Sequence, residues 1–177
     1  ITSDKAYDNV EWPWGYKETD ALGGKDIYSG SKAAAEIIIK SYWESFLKSK
    51  ENIRLGICRA GNVIGGGDWA KDRIVVDCIK SWSKNKSVKT RSPNATRPWQ
   101  HVLEPLSGYL LFASKLFESP DLDGEPFNFG PNADVNKRVE DLIIDLSNKW
   151  HQQLDTFYEV TDNISFKESS LLKLNCD

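Results

Sequence analysis

The apolar residues of this chain change period several times, and each change marks an element. Over residues 28–48 they recur at helical spacing through Ile38, Tyr42, Phe46 and Leu47, and Ala33, Ala34 and Ala35 favour the helical backbone. Residues 53–60 read as a short strand, and a glycine-rich turn follows over 61–67. Asp72 is placed to cap a helix running to about Trp82. Residues 87–90 read as another short strand. Glu104 and Pro105 open a further helix, because proline suits the first helical turn. Leu106, Tyr109, Leu110, Ala113 and Leu116 are expected on its inner face. Residues 127–129 read as a strand stopped by Gly130-Pro131. Asn136 then caps a helix that turns Val139, Leu142, Ile143 and Leu146 inward. The closing run from Leu171 reads as a short strand or helix. Strands alternating with helices predict an α/β architecture with parallel pairing.

Residues 6–27 fit neither period. They are rich in Gly, Trp and Asp and read as a long ordered loop, a kind that in compact domains usually serves function. No internal repeat or low-complexity segment is visible.

Composition narrows the class. The 177 residues are 40% hydrophobic, which is enough for one real core, and 7 Trp, 7 Phe and 6 Tyr argue against disorder. The net charge is −3 with no Lys/Arg block, so no nucleic-acid partner is expected. No apolar run approaches the roughly 20 residues of a membrane span, and no signal-peptide pattern opens the chain. Cys58, Cys78 and Cys176 are odd in number and lack metal-type or redox spacing. They are expected as free thiols of a cytoplasmic protein, with no bound metal. The chain contains no Met and opens on Ile1-Thr2-Ser3-Asp4-Lys5, which reads as a strand end. It is therefore expected to be the carboxyl-side part of a longer protein.

Two clusters carry candidate chemistry. Tyr28-Ser29-Gly30-Ser31-Lys32 places a phenol and an ammonium four apart on one helix face. A phenol ordinarily titrates near ~10, and a neighbouring ammonium favours its ionised form. Such a pair can take a proton from a sugar hydroxyl. About two dozen residues upstream, Thr2-Ser3-Asp4-Lys5 bunches hydroxyls, a carboxyl and an amine where a strand meets a loop. Ligands of open α/β sheets bind at that position. Each cluster alone also fits an ordinary polar surface.

Together, at this separation, they resemble the extended short-chain dehydrogenase/reductase family. Most dehydratases of that family carry Asp-Glu where this chain has Asp4-Lys5, and the CDP-glucose 4,6-dehydratase branch resembles it in having Lys. Arg59-Ala60-Gly61-Asn62-Val63-Ile64-Gly65-Gly66-Gly67-Asp68-Trp69 and Arg97-Pro98-Trp99-Gln100-His101-Val102 look like segments of the same branch. Phe127-Asn128-Phe129-Gly130 looks like the strand that closes the substrate domain.

The resemblance implies an NAD-dependent 4,6-dehydration of a nucleotide-activated hexose, CDP-glucose above others. Tyr28, aided by Lys32, deprotonates the carbon-4 hydroxyl while hydride passes to NAD. Ser3 orients the carbon-4 oxygen, with Thr2 as its neighbour. Asp4 is the expected acid for the departing carbon-6 hydroxyl. Lys5 is either the base for the carbon-5 proton or an electrostatic stabiliser of the enolate. As a base it has to lose a proton that lysine ordinarily holds to about 10.4. Asn62 and Arg97 are expected at the diphosphate, where the planar guanidinium fork suits phosphate oxygens, and Arg73 as a second cation. Arg59 is open to cofactor contact or to an ordinary ion pair. His101 is expected to pack or hydrogen-bond, and Glu18 and Asp20 to be plain loop charges.

The family's glycine fingerprint for the dinucleotide lies upstream of the strand ending at Thr2, and none is present here. The expected organisation is residues 1–63 as the end of a Rossmann-like domain, with the catalytic strand end and the Tyr/Lys helix, and 64–177 as mainly the substrate-binding part, truncated at its C-terminus. The isolated chain is expected to be inactive. Two rivals stay open: an epimerase or decarboxylase of the same family, and a non-catalytic sugar-nucleotide-binding module. The consecutive Ile37, Ile38 and Ile39 suggest a helix buried on more than one side, so a homodimer is expected.

Overall fold

The structure is a computed structural model that describes residues 1–132, 135–151, 154–161 and 169–176. The first long helix, α1, spans Ile27–Tyr42 and ends in a π-type turn at Trp43–Leu47. Asp26 caps it: Ser29 donates its backbone N–H at 2.9 Å and its hydroxyl at 2.6 Å to the Asp26 carboxylate.

The face that α1 buries differs from the line of large residues that predicts the helix. Ser29, Ala33 and Glu36 are buried, whereas Ile37, Ile38, Tyr42 and Phe46 are exposed. The reason is close approach. A short 3-10 turn, Asp4–Ala6, packs on α1, and a Cβ built on Gly24 would stand 2.4 Å from the Gly30 nitrogen. Only small side chains fit such a seam, as at Ser29 and Ala33, whereas Glu36 is buried as the ion-pair partner of Arg59.

Strand β1 is Ile57–Ala60, shorter than the 53–60 expected. Leu55 is tied elsewhere: its N–H donates to the Asp123 carboxylate at 2.7 Å, and its carbonyl accepts from Gly124 at 2.7 Å. The chain then forms β2 (Val63–Ile64), α2 (Ile74–Trp82), β3 (Val88–Thr90), β4 (Thr96–Arg97) and β5 (Gln100–His101). It continues through α3 (Leu103–Glu118), β6 (Pro126–Phe129), β7 (Lys137–Arg138), α4 (Val139–Ser147) and β8 (Tyr158–Val160). Among the described residues β1 pairs with β6, β2 with β5 and β3 with β8, all parallel, and β4 pairs with β7 antiparallel. The fold is α/β, as expected. The β1–β6 pairing joins residues on both sides of position 63.

Three local expectations are corrected. Asp72 does not cap α2: it has a φ of 63°, and Arg73 occupies the cap position. An Asp tolerates that left-handed turn better than most residues. Asn136 does not cap α4, because Arg138 occupies the cap position, where its backbone N–H donates to the Asp141 carboxylate at 3.0 Å. On α3, Leu106, Leu110 and Ala113 face outward, with Leu110 75% exposed. The inward phase is set by Pro105 and Phe112, with Tyr109 and Leu116 half-buried. Phe112 lies 4.7 Å from the Phe127 ring and Tyr109 5.0 Å from the Phe129 ring. Those β6 aromatics fix the rotation of the helix.

Two cores result. One joins α2, β3 and α4 through Cys78, Trp82, Val88 and Ile143, with Val139 and Leu146 packed against it. The other binds the long loop to the C-terminal segment through Tyr7, Tyr16, Leu172 and Leu174. Of the closing run, Leu174 bridges to Tyr16 in parallel, and Asp177 lies outside the described residues.

Candidate active site

The site begins where the chain leaves Ile1 and turns. The Thr2 N–H donates to the Cys58 carbonyl at 2.8 Å, which lays the opening segment beside β1. Ser3 then caps the 3-10 turn, accepting from the Lys5 N–H at 3.2 Å. The Ser3 hydroxyl also donates to Asp4 Oδ1 at 2.9 Å. That leaves Asp4 Oδ2 buried and without a hydrogen-bond partner. Burial pushes the Asp4 carboxyl above its ordinary range, opposed by Lys5, by Ser3 and by the Arg97 guanidinium. A buried carboxyl that prefers its proton is suited to donating one.

The turn carrying Asp4 and Lys5 and the helix carrying Tyr28 and Lys32 are packed together. Gly23 N–H donates to the Ala6 carbonyl at 2.9 Å, and Asp8 N–H to Ala21 at 2.9 Å, so the loop binds the turn to the head of α1. The charge of Lys5 reaches Asp26, the α1 cap. Tyr28 is 55% exposed, and Lys32 Nζ stands 5.5 Å from its ring centroid. Tyr28, Lys32 and Glu36 follow one another at four-residue steps, so their side chains form one slowly turning line along α1. The last of them is fully buried beneath the opening segment.

The remaining expected residues are distributed as follows. Arg97 is buried, donates from Nη1 to the Thr96 carbonyl at 2.8 Å, and acts electrostatically on Asp4. Asn62 lies just past the end of β1, and its carbonyl accepts from Gln100 N–H at 3.0 Å. Arg73 stands in an exposed ion pair with Asp68 at 3.0 Å. Arg59 takes the ion-pair reading: Nε donates to Glu36 at 2.8 and 3.1 Å, and Nη1 to the Tyr7 hydroxyl at 2.8 Å and the Glu18 carbonyl at 3.1 Å. The Thr2 hydroxyl donates to Glu36 as well. His101 Nδ1 accepts from the Leu103 N–H at 3.2 Å.

Sequence reasoning missed the buried polar network behind the site. Tyr7 stacks under Arg59 at 4.8 Å and donates to Asn128 Oδ1 at 2.7 Å. Asn128 donates from Nδ2 to the carbonyls of Tyr16 at 2.8 Å and Asn175 at 2.9 Å. Glu18 is more than a plain loop charge, since its carboxylate accepts from Asn128 N–H at 2.7 Å. Glu36 had a usable signal: a carboxyl inside an Ala- and Ile-rich helix, in step with Tyr28 and Lys32. Among the described residues no cluster of His, Cys, Asp or Glu is arranged to hold a metal, and no helix is long and apolar enough to cross a membrane.

No family model matches the chain. It is 43% identical over 180 residues to the CDP-glucose 4,6-dehydratase of Salmonella typhimurium, an alignment covering 99% of this chain and 50% of that protein. The chain thus spans about half the length of the curated relative it matches. Its fold is similar to UDP-glucuronic acid 4-epimerase from Bacillus cereus in complex with UDP-glucuronic acid and NAD, with a TM-score of 0.81 at 16% identity over 99% of this chain and 51% of that one. It is also similar to a dTDP-glucose 4,6-dehydratase from Streptomyces venezuelae with NAD bound, with a TM-score of 0.80 at 14% identity over 99% and 50% of the two chains. That identity, that fold and a Tyr/Lys helix packed on a hydroxyl-and-carboxyl turn are consistent with the extended short-chain dehydrogenase/reductase family.

Proposed function

We propose that this chain is the catalytic and sugar-nucleotide-binding part of an NAD-dependent nucleotide-hexose 4,6-dehydratase whose substrate is CDP-glucose. The observation that carries the reading is Asp4: a buried carboxyl with one unpartnered oxygen, on a turn packed against the Tyr28/Lys32 helix. The 43% identity to a protein named for that reaction supports the substrate assignment.

The residues present fit the reacting end of NAD, because the exposed Tyr28 ring with the Lys32 ammonium beside it leaves a phenol open to a sugar and a nicotinamide. When bound, NAD supplies a hydride acceptor that later returns the hydride to the sugar. Tyr28 takes the proton of the carbon-4 hydroxyl, and Lys32 places positive charge beside the phenol as it ionises. Ser3 holds the carbon-4 oxygen. Asp4, which burial keeps inclined to hold a proton, protonates the departing carbon-6 hydroxyl. Lys5 either removes the carbon-5 proton or stabilises the enolate charge. Arg97 and Asn62 serve the diphosphate, with Arg73 at the exposed rim. Ile37, Ile38, Tyr42 and Phe46, exposed on α1, support a homodimer through that helix.

The test is to supply the protein, as its gene encodes it, with NAD and CDP-glucose and to follow formation of a 4-keto-6-deoxy product. Product from CDP-glucose that disappears in Tyr28→Phe supports the reading. A carbon-4 epimer as the sole product overturns it in favour of an epimerase.

A further inference from the structure

Glu36 is only 1% exposed, and Arg59, its ion-pair partner, only 2%. Burying a charge pair is costly, so its persistence calls for good geometry and additional hydrogen bonds. Both are present. The Glu36 carboxylate accepts from Arg59 Nε and Nη2, and Arg59 Nη1 is held by Tyr7 and the Glu18 carbonyl. Burial opposes the charge of Arg59, but the bonds to Glu36 and Tyr7 hold its pKa above the ordinary value.

The third group on the Glu36 carboxylate is the Thr2 hydroxyl. Thr2 immediately precedes Ser3 and Asp4. Its backbone N–H is fixed to Cys58 of β1, next to Arg59. Thr2 is therefore clamped at two points, by β1 through its backbone and by α1 through its side chain. Its hydroxyl is spent inward and is not available to a sugar as donor. The same helix carries Lys32 and Tyr28 one and two steps of four residues before Glu36.

We propose that Glu36 is a positioning residue: through the Thr2 hydroxyl it locks the segment bearing Ser3 and Asp4 to the helix bearing Tyr28 and Lys32. The inference rests on the dehydratase reading and assigns Thr2 to the lock instead of to the substrate. The buried ion pair makes the lock stiff, because Glu36 cannot swing away without leaving Arg59 unpaired. A misplacement of about 1 Å at Ser3 or Asp4 is of the size that costs ~100-fold in rate.

Glu36→Gln would unbalance Arg59 and risks unfolding the protein, so the decisive variants are at Thr2. Thr2→Val removes the hydroxyl and keeps the Glu36–Arg59 pair, and Thr2→Ser restores the hydroxyl. The assay is CDP-glucose dehydration by the protein as its gene encodes it, with NAD saturating and well below the melting temperature. In Thr2→Val, kcat is expected to fall ~10-fold or more with KM changed less than about twofold, and Thr2→Ser to recover to within about threefold of wild type. A Thr2→Val enzyme with wild-type kcat overturns the lock alone. So does a rise in KM at constant kcat, which marks Thr2 as a direct substrate ligand. Wild-type protein that forms no 4-keto product overturns the dehydratase reading itself, and the lock with it.

Discussion

Gly61 lies against Asp4: a Cβ built on the glycine would stand 3.4 Å from Asp4 Oδ2 and 2.6 Å from Cγ of Pro98. The unpartnered carboxyl oxygen therefore has the glycine as its floor and the Arg97-Pro98 segment as its wall. Gly61→Ala is expected to push Pro98 outward, because 2.6 Å is well inside van der Waals contact. The cost in stability should be ~1–3 kcal/mol, as for other overpacked sites. Arg97 moves with Pro98, so KM for the nucleotide sugar should rise as well. Denaturant unfolding and steady-state kinetics on one preparation check both.

Asp4 is stored strain by the same geometry. Burial raises its pKa, so the folded state holds this proton more tightly than the unfolded chain does. Its contribution to stability is fully present below the ordinary value of 3.8 and is lost as pH rises through the folded value. Above that folded value the carboxylate is a buried charge that costs stability. Asp4→Asn is therefore expected to abolish dehydration while raising the melting temperature at pH values above the folded pKa, by roughly 2–4 °C for each ~1 kcal/mol gained. The gain should shrink as pH falls and vanish below the ordinary carboxyl range. Melting curves across pH decide it.

The fold and the candidate site were legible for different reasons. The Tyr28/Lys32 spacing and the Ser3-Asp4-Lys5 cluster each fit an ordinary polar surface alone, and only their combination at this separation points to a site. Helix α1 was legible too, but not its buried face. Hydrophobic periodicity assumes that large residues pack, whereas here Ser29 and Ala33 pack against a close backbone and Glu36 against Arg59. The phase of α3 failed for a related reason: the rings of Phe127 and Phe129, distant in sequence, choose which residues turn inward. The caps of α2 and α4 were displaced by one and two residues, because a left-handed Asp72 and an Arg138–Asp141 pair outbid the expected side chains. The Glu36–Arg59–Tyr7–Asn128 network joins residues far apart along the chain, and no local pattern encodes it.

The Glu36–Arg59 pair should behave as a buried ion pair does. Glu36→Gln alone leaves a guanidinium buried beside an uncharged amide and is expected to cost ~3–5 kcal/mol. Pairing it with Arg59→Met removes the stranded charge and should recover a large part of that loss. A double-mutant cycle measured by denaturant unfolding tests this. Additive losses would show that the two charges are solvated independently.

Tyr7 allows the same network to be read by alkaline titration. Burial pushes its phenol up to about 12, despite the nearby Arg59 charge and hydrogen bonds with Arg59 and Asn128. The unfolded chain releases this proton near the ordinary value of 10.0. The folded state therefore holds the proton more tightly, and the stability this supplies is present below pH 10 and lost as pH rises through about 12. A shift of that size corresponds to at most ~2.7 kcal/mol. Tyr7→Phe removes the titration and leaves Arg59 Nη1 and Asn128 Oδ1 short of a partner, a loss of ~1–3 kcal/mol at neutral pH. The difference in stability between wild type and variant should thus be greatest below pH 10 and narrow steadily above it. Other alkaline groups, Cys78 among them, titrate in both proteins and cancel from the difference. Chemical unfolding of the two proteins at several pH values between neutrality and about 11.5 measures it. A gap that stays constant across that range would mean that the Tyr7 hydroxyl ionises as easily in the folded protein as in water, and the buried Arg59–Tyr7–Asn128 chain would have to be abandoned.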